Sequence, residues 1–473
     1  EYRWSSNWRK SHSIEPDKIF PFLLDFLRQE KRRSRDYSAC TSQATHSADR
    51  ESGNYSSNSD RNKKTDNCCP AAGFGKSGNE AVAIAMRQIN PDVVGAFPIT
   101  PSTEIPEYFS GYVADGLVDT GFIPVESEHS AMSTCIGASA AGARAMTATS
   151  SCGLAYMWEL LYVSASMRLP IVMSVVNRAL SGPININNDH SDSMGARDSG
   201  WIQMYAETNQ EAYDNFIQSV LIAEKCRLPV MACQDGFITS HGVSNIELLE
   251  DEKVRAFVGE YEPDNFLLNS ENPLAVGPYG TSPYYMEVKR AQAQAMKDSM
   301  PVILEIGKEY EKLTGRKYRF FEEYMMDDAD VALVVMGSSA GTGKEAVDRL
   351  RAEGRKVGLI KLRVFRPFPR RPLAAAMCKV KAVAIMDKAE SFSNSGGPLF
   401  NEARSSLYDL PDRPYAVNYI YGLGGRDIRV EDYYDIYQDL YDIIDEDDPG
   451  DVYRYVGVRD SRYIDADQRM MKE

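Results

Sequence analysis

Short apolar runs alternate with helix-like segments along most of this chain, and this alternation limits its possible folds more than any other feature. In the first half of the chain, five apolar runs predict strands: VVGAFPI, GFIPV, RAMTATS, PIVMSVVNRA and PVMACQDGF. Helical patterns lie between these runs, as in GNEAVAIAMRQI and GLAYMWELLYVSASMRL. Short buried strands that alternate with helices are typical of an open, mostly parallel α/β sheet. We therefore predict that fold class.

A second α/β unit follows a loop-rich stretch. The runs VALVVMGS, KVGLIKL and AVAIMDK predict its strands. A length of 473 residues also exceeds what one core usually fills. We predict five segments in chain order: a disordered or non-native extension (1–74), a first α/β domain (75–260), a loop and connecting helix (261–327), a second α/β domain (328–430) and an acidic C-terminal tail (431–473).

The first 74 residues differ in composition from the rest of the chain. The stretch SACTSQATHSADRESGNYSSNSDRNKKTDN carries almost no large apolar side chains. Such a segment buries too little surface to offset the entropy lost on ordering, so we predict disorder. The sequence begins without Met. An extension that does not belong to the mature protein is therefore the alternative.

Charge, hydropathy and cysteine spacing exclude several classes of function. A net charge of −15 argues against nucleic acid or an anionic membrane surface as the main partner. No run approaches the roughly 18 apolar residues that span a bilayer, so we predict a cytoplasmic protein without a membrane partner. The eight cysteines form no CxxC pair. We therefore expect reduced thiols and no metal or iron–sulfur ligands within this chain.

The segment GSSAGTGK (337–344) resembles a phosphate-binding loop only in part. A Walker loop has four residues between its glycines and a hydroxyl after the Lys, but here five residues separate Gly337 from Gly343 and Glu345 follows Lys344. We interpret the segment as a glycine-rich turn that caps a helix. A non-catalytic nucleotide-binding assembly module that uses this turn is the alternative from another functional class.

The segment NNDHSDS (187–193) collects two aspartates and one histidine and could hold a metal. Closely spaced Asn, Asp and Ser residues more often build hydrogen-bonded turns, and we interpret the segment in that way. We likewise interpret His129 and His241 as structural residues.

Two other segments place polar side chains at the ends of predicted strands. In FPITPSTEIPE (97–107), Thr100 follows a strand and precedes a helix, where open α/β sheets bind ligands. Helix capping by Ser102 or Thr103 is an alternative use of these hydroxyls. In SVVNRAL, Arg178 follows an apolar strand and needs an anion. A substrate carboxylate and a structural salt bridge explain Arg178 equally well.

The segment VESEHSA places Glu126 and Glu128 between a strand and a helix of small residues. Their alternation would set both carboxylates on one face if the strand continued. Capping of the following helix by both glutamates is the alternative.

Several long segments together closely resemble the alpha subunit of the pyruvate:ferredoxin oxidoreductase (pyruvate synthase) family, from about residue 77 to about residue 430. They include GNEAVAIAM, FPITPSTEIPE, VESEHSAMSTCIGASAAGARAMTATSSCGLAYMWELL, RLPIVMSVVNRAL, RDSGWIQMYAETNQEAYD, LRVFRPFP and SGGPLFNEARSSLY. The resemblance implies a doubly wound, pyrimidine-type thiamine diphosphate-binding domain, followed by a transketolase C-terminal-like α/β domain.

The same resemblance implies roles for three residues. Glu128 matches the position of the family's activating glutamate, which hydrogen-bonds the aminopyrimidine ring of thiamine diphosphate and favours its imino tautomer. Arg178 is implied to pair with the carboxylate of the 2-oxoacid. Thr100 is implied to hydrogen-bond the substrate near its reacting carbonyl.

The resemblance also implies the reaction and the partners. Pyruvate, CoA and oxidised ferredoxin would give acetyl-CoA, CO₂ and reduced ferredoxin, reversibly. The GDG…N signature that binds the diphosphate and Mg²⁺ is missing from this chain. The binding sites for the diphosphate and Mg²⁺, and those for the iron–sulfur clusters, are therefore expected on partner chains. The implied partners are a beta subunit that binds thiamine diphosphate and a cluster, a gamma subunit and a ferredoxin-like delta subunit. Related enzymes for 2-oxoglutarate or branched-chain 2-oxoacids are alternatives, although VESEHSA and NRALSGP favour pyruvate.

Overall fold

The computed structural model describes residues 74–277 and 279–458. The strands of these residues are β1 (Phe74–Lys76), β2 (Val93–Ala96), β3 (Gly121–Pro124), β4 (Ala145–Thr149), β5 (Val172–Asn177), β6 (Ile202–Ala206), β7 (Val230–Asp235), β8 (Ser244–Ile246), β9 (Phe321–Tyr324), β10 (Val331–Met336), β11 (Val357–Leu362), β12 (Val364–Arg366), β13 (Ala382–Asp387), β14 (Tyr415–Ile420) and β15 (Tyr453–Tyr455). They form two large sheets and a small antiparallel pair, β1–β8. Both large sheets belong to one compact unit.

The α-helices connect these strands and cover the sheets. They are α1 (Gly78–Ile89), α2 (Glu104–Ala114), α3 (Glu128–Ala140), α4 (Ser151–Tyr156), α5 (Trp158–Ser166), α6 (Ser191–Gly195), α7 (Asn209–Cys226), α8 (Ile238–His241), α9 (Asp251–Val258), α10 (Ser282–Thr314), α11 (Ser339–Ala352), α12 (Arg370–Met377), α13 (Pro398–Leu407) and α14 (Val430–Glu446). Of the described helices, none combines the length and hydropathy needed to cross a bilayer.

The first sheet has seven strands in the order β12-β6-β7-β5-β4-β2-β3. All of its pairs are parallel except β12–β6. Its central strand β5 is buried on both faces: Met173 and Val175 pack into one apolar cluster, and Val172 and Val176 pack into another. The prediction of an open, mostly parallel and doubly wound α/β sheet is confirmed.

The second sheet has six strands in the order β15-β14-β13-β10-β11-β9. All pairs except β9–β11 are parallel, and β10, β11 and β13 are buried along their whole length. The prediction of a second α/β unit is therefore also confirmed. The long helix α10 lies within the predicted connecting segment (261–327).

One crossing of the chain between the sheets was not predicted. After β11 in the second sheet, the chain runs directly into β12, which joins the first sheet beside β6. Phe365 of β12 packs edge-on against Tyr205 of β6, with ring centroids 6.5 Å apart. Apolar residues of both sheets consequently share one core cluster.

Three other predictions from the sequence have different outcomes. The predicted strand GFIPV corresponds to β3, which is an edge strand with mostly exposed residues rather than a buried one. The C-terminal tail contributes the predicted helix, now α14, and also the unpredicted strand β15. The predicted extension (1–74) lies outside the described residues except for Phe74. The segment boundaries stay a prediction.

Candidate functional site

The carboxyl ends of β2, β4, β5 and β7 lie side by side in the first sheet. The chain leaves the sheet at this edge, so backbone groups and side chains from four connections meet there. In an open parallel sheet this edge is where ligands bind. The three predicted site residues all lie on segments that begin at or near this edge.

Arg178 follows β5 directly, and its side chain is 7% exposed. Its Nη1 donates to the carbonyl oxygen of Thr100 at 2.8 Å, and its Nε donates to the carbonyl oxygen of Asn185 at 3.0 Å. Within the described part of the chain, no carboxylate forms an ion pair with this guanidinium. The described residues therefore do not support the alternative of a structural salt bridge. A buried positive charge without a counter-ion favours an anionic ligand.

Thr100 lies beside Arg178, as the shared hydrogen bond shows, and it is exposed. Its hydroxyl makes no hydrogen bond to any described residue and can bind a ligand. The capping alternative fails for both neighbours. The Ser102 hydroxyl donates to the Ile99 carbonyl at 2.8 Å, and Thr103 makes no side-chain capping bond to α2.

The two glutamates of VESEHSA have opposite environments. Glu126 is exposed and accepts a hydrogen bond from the Ser130 hydroxyl, which lowers the pKa of Glu126. Glu128 opens α3, is 7% exposed, and receives no hydrogen bond from any described group. Ser127, rather than either glutamate, caps the helix by accepting from Ser130 N at 3.3 Å. The condition for a shared strand face is not met, because β3 ends at Pro124.

A glycine allows the backbone of α4 to approach the Glu128 carboxylate. A Cβ at Gly153 would lie 2.8 Å from Glu128 Oε1 and 2.5 Å from Thr149 Oγ1. The Thr149 hydroxyl is buried, and no partner for it lies among the described residues. A carboxylate and a hydroxyl that both lack a partner among the described residues form a site that a polar ligand can satisfy. Sequence reasoning missed Thr149 and Gly153, although both lie in the motif TATSSCGL, which was part of the family resemblance.

Asp192 connects the loops that carry these residues. Its carboxylate is buried and accepts from Ser151 N at 3.0 Å, Arg178 N at 3.0 Å and the Asn177 side-chain amide at 2.8 Å. Burial raises the pKa of Asp192 to about 6, although these donors oppose the rise. The interpretation of NNDHSDS as a hydrogen-bonded turn is confirmed, because Asp189 likewise accepts from Ser191 N at 2.9 Å. The hydrogen bonds of Asp192 thus connect α4, which carries Gly153, to the segment that carries Arg178.

Comparisons with known proteins identify the family. Residues 84–308 match the thiamine diphosphate-binding domain of pyruvate flavodoxin/ferredoxin oxidoreductases, and residues 329–433 match core domain II of pyruvate:ferredoxin oxidoreductase. Pyruvate synthase subunit PorA of Thermotoga maritima is 54% identical over 386 residues, which are 81% of this chain and 97% of that protein. The chain belongs to the pyruvate:ferredoxin oxidoreductase family.

Two further comparisons show that the chain is also similar to oxidoreductases of other 2-oxoacids. Ketoisovalerate oxidoreductase subunit VorA of Pyrococcus abyssi is 45% identical over 370 residues, which are 78% of this chain and 93% of that protein. The solved structure of 2-oxoglutarate:ferredoxin oxidoreductase from Magnetococcus marinus is 21% identical, with a TM-score of 0.60, over 78% of this chain and 66% of that one. The structural match supports the fold alone. The recognition of the chain as an alpha subunit of the family is confirmed by the PorA relatives.

The glycine-rich turn of this oxidoreductase chain (337–344) binds a carboxylate of the first sheet, that of Asp235. Asp235, at the end of β7, accepts from Ser338 N at 3.0 Å and from the Ser338 hydroxyl at 2.6 Å. Gly337 has a φ of +70°, and a Cβ there would lie 2.8 Å from both Asp235 oxygens. Lys344 pairs with Glu207 at 2.9 Å. The groups that a nucleotide phosphate would need are therefore occupied by carboxylates, against the assembly-module alternative.

Asp235 is also the centre of a buried ion pair between the two sheets. Lys388 Nζ, from the residue after β13, lies 2.8 Å from Asp235 Oδ2, and His190 Nε2 lies 2.8 Å from Oδ1. Burial raises the pKa of Asp235, but the Lys388 charge and the contacts with Lys388 and His190 outweigh burial and hold this pKa well below its usual range. The second sheet is thereby attached to the edge of the first sheet that carries the site.

We expect Asp235→Asn to lower the free energy of unfolding by about 3–5 kcal/mol, because the substitution leaves the Lys388 ammonium buried without its counter-ion. Chemical denaturation of the assembled enzyme measures the change. The matched control is Asp330→Asn, which breaks the exposed Lys381–Asp330 pair, with an N–O distance of 3.2 Å. An exposed pair contributes at most about 1 kcal/mol. Equal effects of the two substitutions would contradict the attachment of the sheets by Asp235.

A cluster of three glutamates elsewhere in the described chain surrounds a lysine side chain. Glu207, Glu211 and Glu322 lie within 4.8 Å of one another. Lys361 Nζ lies among them, at 2.9 Å, 2.5 Å and 2.9 Å respectively. An ammonium at the centre of three carboxylates replaces a cation electrostatically, so this group gives no reason to assign a metal to the chain.

Proposed function

We propose that this alpha subunit works in an enzyme that converts pyruvate, CoA and oxidised ferredoxin to acetyl-CoA, CO₂ and reduced ferredoxin, reversibly. The observation that carries the proposal is Glu128, a residue 7% exposed at the first turn of α3 whose carboxylate accepts no hydrogen bond from a described residue. A buried carboxylate is costly unless a hydrogen-bond donor reaches it. The family match and the position of Glu128 together favour a donor on thiamine diphosphate.

The residues around Glu128 fit the aminopyrimidine ring of this cofactor. Glu128 would accept a hydrogen bond from the ring, and the Thr149 hydroxyl offers a second polar group. Gly153 allows Glu128 and Thr149 to lie side by side, because a Cβ there would clash with both. When bound, thiamine diphosphate supplies the nucleophilic carbon and the electron sink for cleavage of a 2-oxoacid. The Glu128 carboxylate would contribute by favouring, through this hydrogen bond, one tautomer of the ring.

Arg178 and Thr100 are suited to hold the 2-oxoacid. The Arg178 guanidinium has two of its nitrogens on backbone carbonyls, and its charge lacks a counter-ion. A carboxylate at its remaining nitrogen, Nη2, would form charge-assisted hydrogen bonds. Thr100 is exposed, and its hydroxyl, which has no partner among the described residues, can donate to the neighbouring carbonyl oxygen of the substrate.

We assign the remaining machinery to partner chains. The diphosphate with its Mg²⁺ and the iron–sulfur clusters are placed on a beta subunit, and gamma and ferredoxin-like delta subunits complete the enzyme. The missing GDG…N signature and the scattered cysteines support this division. Ferredoxin accepts the electrons, and we place the assembly in the cytoplasm, without nucleic-acid or membrane partners.

Reconstitution tests this function. The chain alone is expected to show no pyruvate oxidation, and the co-expressed subunits are expected to form acetyl-CoA only when thiamine diphosphate is present. The control is the complex without its alpha chain. Activity of the isolated chain, or thiamine-independent activity of the complex, would contradict the proposal.

Substrate selection is measured in the same assay. The PorA relative is more similar to this chain than the VorA relative, at 54% and 45% identity, so we expect the highest kcat/KM for pyruvate. 2-Oxoisovalerate and 2-oxoglutarate are the comparison substrates. A higher kcat/KM for either one would replace pyruvate in the proposal and leave the roles of Glu128 and Arg178 unchanged.

A further inference from the structure

A turn of the second sheet holds the loop that positions Arg178. The turn is a single 3₁₀ segment, Leu423–Gly425, which follows β14. Gly424 N donates to Asp189 Oδ2 at 3.1 Å, and the Gly424 carbonyl accepts from the Asn185 side-chain amide at 3.1 Å. Both polar backbone groups of one glycine are therefore bonded to the 185–189 loop.

The close approach of the turn requires glycine. Gly424 and Gly425 have φ values of +61° and +80°. A Cβ at Gly424 would lie 2.6 Å from Asn185 Nδ2, and a Cβ at Gly425 would overlap the side chain of Asn187. A methyl group at Gly424 would displace the Asn185 side-chain amide that bonds to the turn, and a methyl group at Gly425 would clash with Asn187 Cβ.

The same loop holds three successive residues after β5. The carbonyl of Asn185 accepts from Arg178 Nε at 3.0 Å, and the carbonyl of Asn187 accepts from Ala179 N at 3.0 Å. Leu180 N donates to the Ser191 hydroxyl at 2.9 Å, and Asp189 fixes that hydroxyl. A displacement of the loop therefore moves the Arg178 side chain together with its backbone.

We propose that Gly424 and Asn185 are positioning residues for the 2-oxoacid, acting through the orientation of the Arg178 guanidinium. Two backbone carbonyls, those of Thr100 and Asn185, fix Nη1 and Nε and so direct Nη2 toward the substrate. The second sheet controls the carbonyl of Asn185. This inference rests on the proposed role of Arg178. It adds that a domain without a proposed catalytic residue determines how well the substrate carboxylate is held.

Gly424→Ala tests this inference in the assembled enzyme without a change of charge. We expect the KM for pyruvate to rise about tenfold while kcat stays within a factor of about two and the KM for CoA is unchanged, because a misplaced guanidinium weakens substrate binding. The matched control is Gly354→Ala. Gly354 has a φ of +87°, but nothing lies within 4 Å of an added Cβ, so this variant carries the backbone strain without the contact.

A double-mutant cycle separates positioning from a general loss of structure. Arg178→Lys keeps a positive charge but removes the Nε that bonds to Asn185. In that background, Gly424→Ala or Asn185→Ala should raise the KM for pyruvate no further, because the positioned group is already gone. Independent, multiplying effects would overturn the inference, as would an unchanged KM in Gly424→Ala and Asn185→Ala. A normal KM in Arg178→Ala would instead contradict the proposed function itself.

Discussion

Glu128→Gln is expected to lower kcat for pyruvate oxidation by a factor of about 10²–10⁴ in the assembled enzyme, the range that proton transfer by a positioned side chain contributes. Glutamine has the shape of glutamate, but it cannot accept hydrogen bonds at both terminal atoms or hold a proton as a carboxylate does. Steady-state kinetics with saturating pyruvate and thiamine diphosphate measures the loss.

Glu126→Gln is the matched control for this experiment. It makes the same chemical change two residues earlier, at an exposed carboxylate bonded to the Ser130 hydroxyl. Its kcat should stay within a factor of about two, and both variants should co-purify with their partner subunits, because neither carboxylate supports the fold through a buried ion pair. Normal turnover in Glu128→Gln, or an equal loss in Glu126→Gln, would remove Glu128 from cofactor activation.

Local patterns were sufficient to predict the sheets. Strand runs such as VMSVVN are apolar on both faces, and the structure buries all six of these residues. The meeting of Thr100 and Arg178 follows from the same topology, because β2 and β5 are parallel strands separated only by β4. Residues after parallel strands reach the same edge even when the sequence places them 78 positions apart.

The arrangement of the two glutamates could not be read from their spacing. A period of two predicts one shared face only while a strand continues, and here the strand stops at Pro124 and a helix begins at Glu128. The change from strand to helix turns Glu128 inward and leaves Glu126 in solvent. The boundary of an element therefore decided which carboxylate was buried.

Contacts between the sheets were beyond sequence reasoning for a different reason. The Asp235–Lys388 pair joins residues 153 positions apart, and nothing in the local pattern of either strand indicates the other. The glycine-rich turn shows the same limit: a nucleotide phosphate was only the alternative interpretation of its sequence, and the anion that it binds is a carboxylate from another sheet. Long-range partners depend on how the sheets pack, which periodicity does not encode.

Arg178→Ala is expected to raise the KM for pyruvate about 10- to 150-fold, because a charge-assisted hydrogen bond of this kind contributes about 1.5–3 kcal/mol. The effect should be largest for the 2-oxoacid and absent for CoA, since only the 2-oxoacid carboxylate is proposed to bind this guanidinium. Arg178→Lys should recover part of the loss, because an ammonium restores the charge but not the planar donor geometry. Initial-rate kinetics of the assembled enzyme gives both constants.

The control for Arg178→Ala removes a guanidinium that makes similar hydrogen bonds in a different place. Arg413 is exposed, and its Nη1 donates to the Tyr408 carbonyl at 3.1 Å, so Arg413→Ala also frees a backbone carbonyl without breaking an ion pair. Its KM for pyruvate should stay unchanged. A KM in Arg178→Ala that matches this control would mean that the uncompensated charge beside Thr100 serves another anion. A selective rise for 2-oxoacids would place their carboxylates at the carboxyl edge of the first sheet.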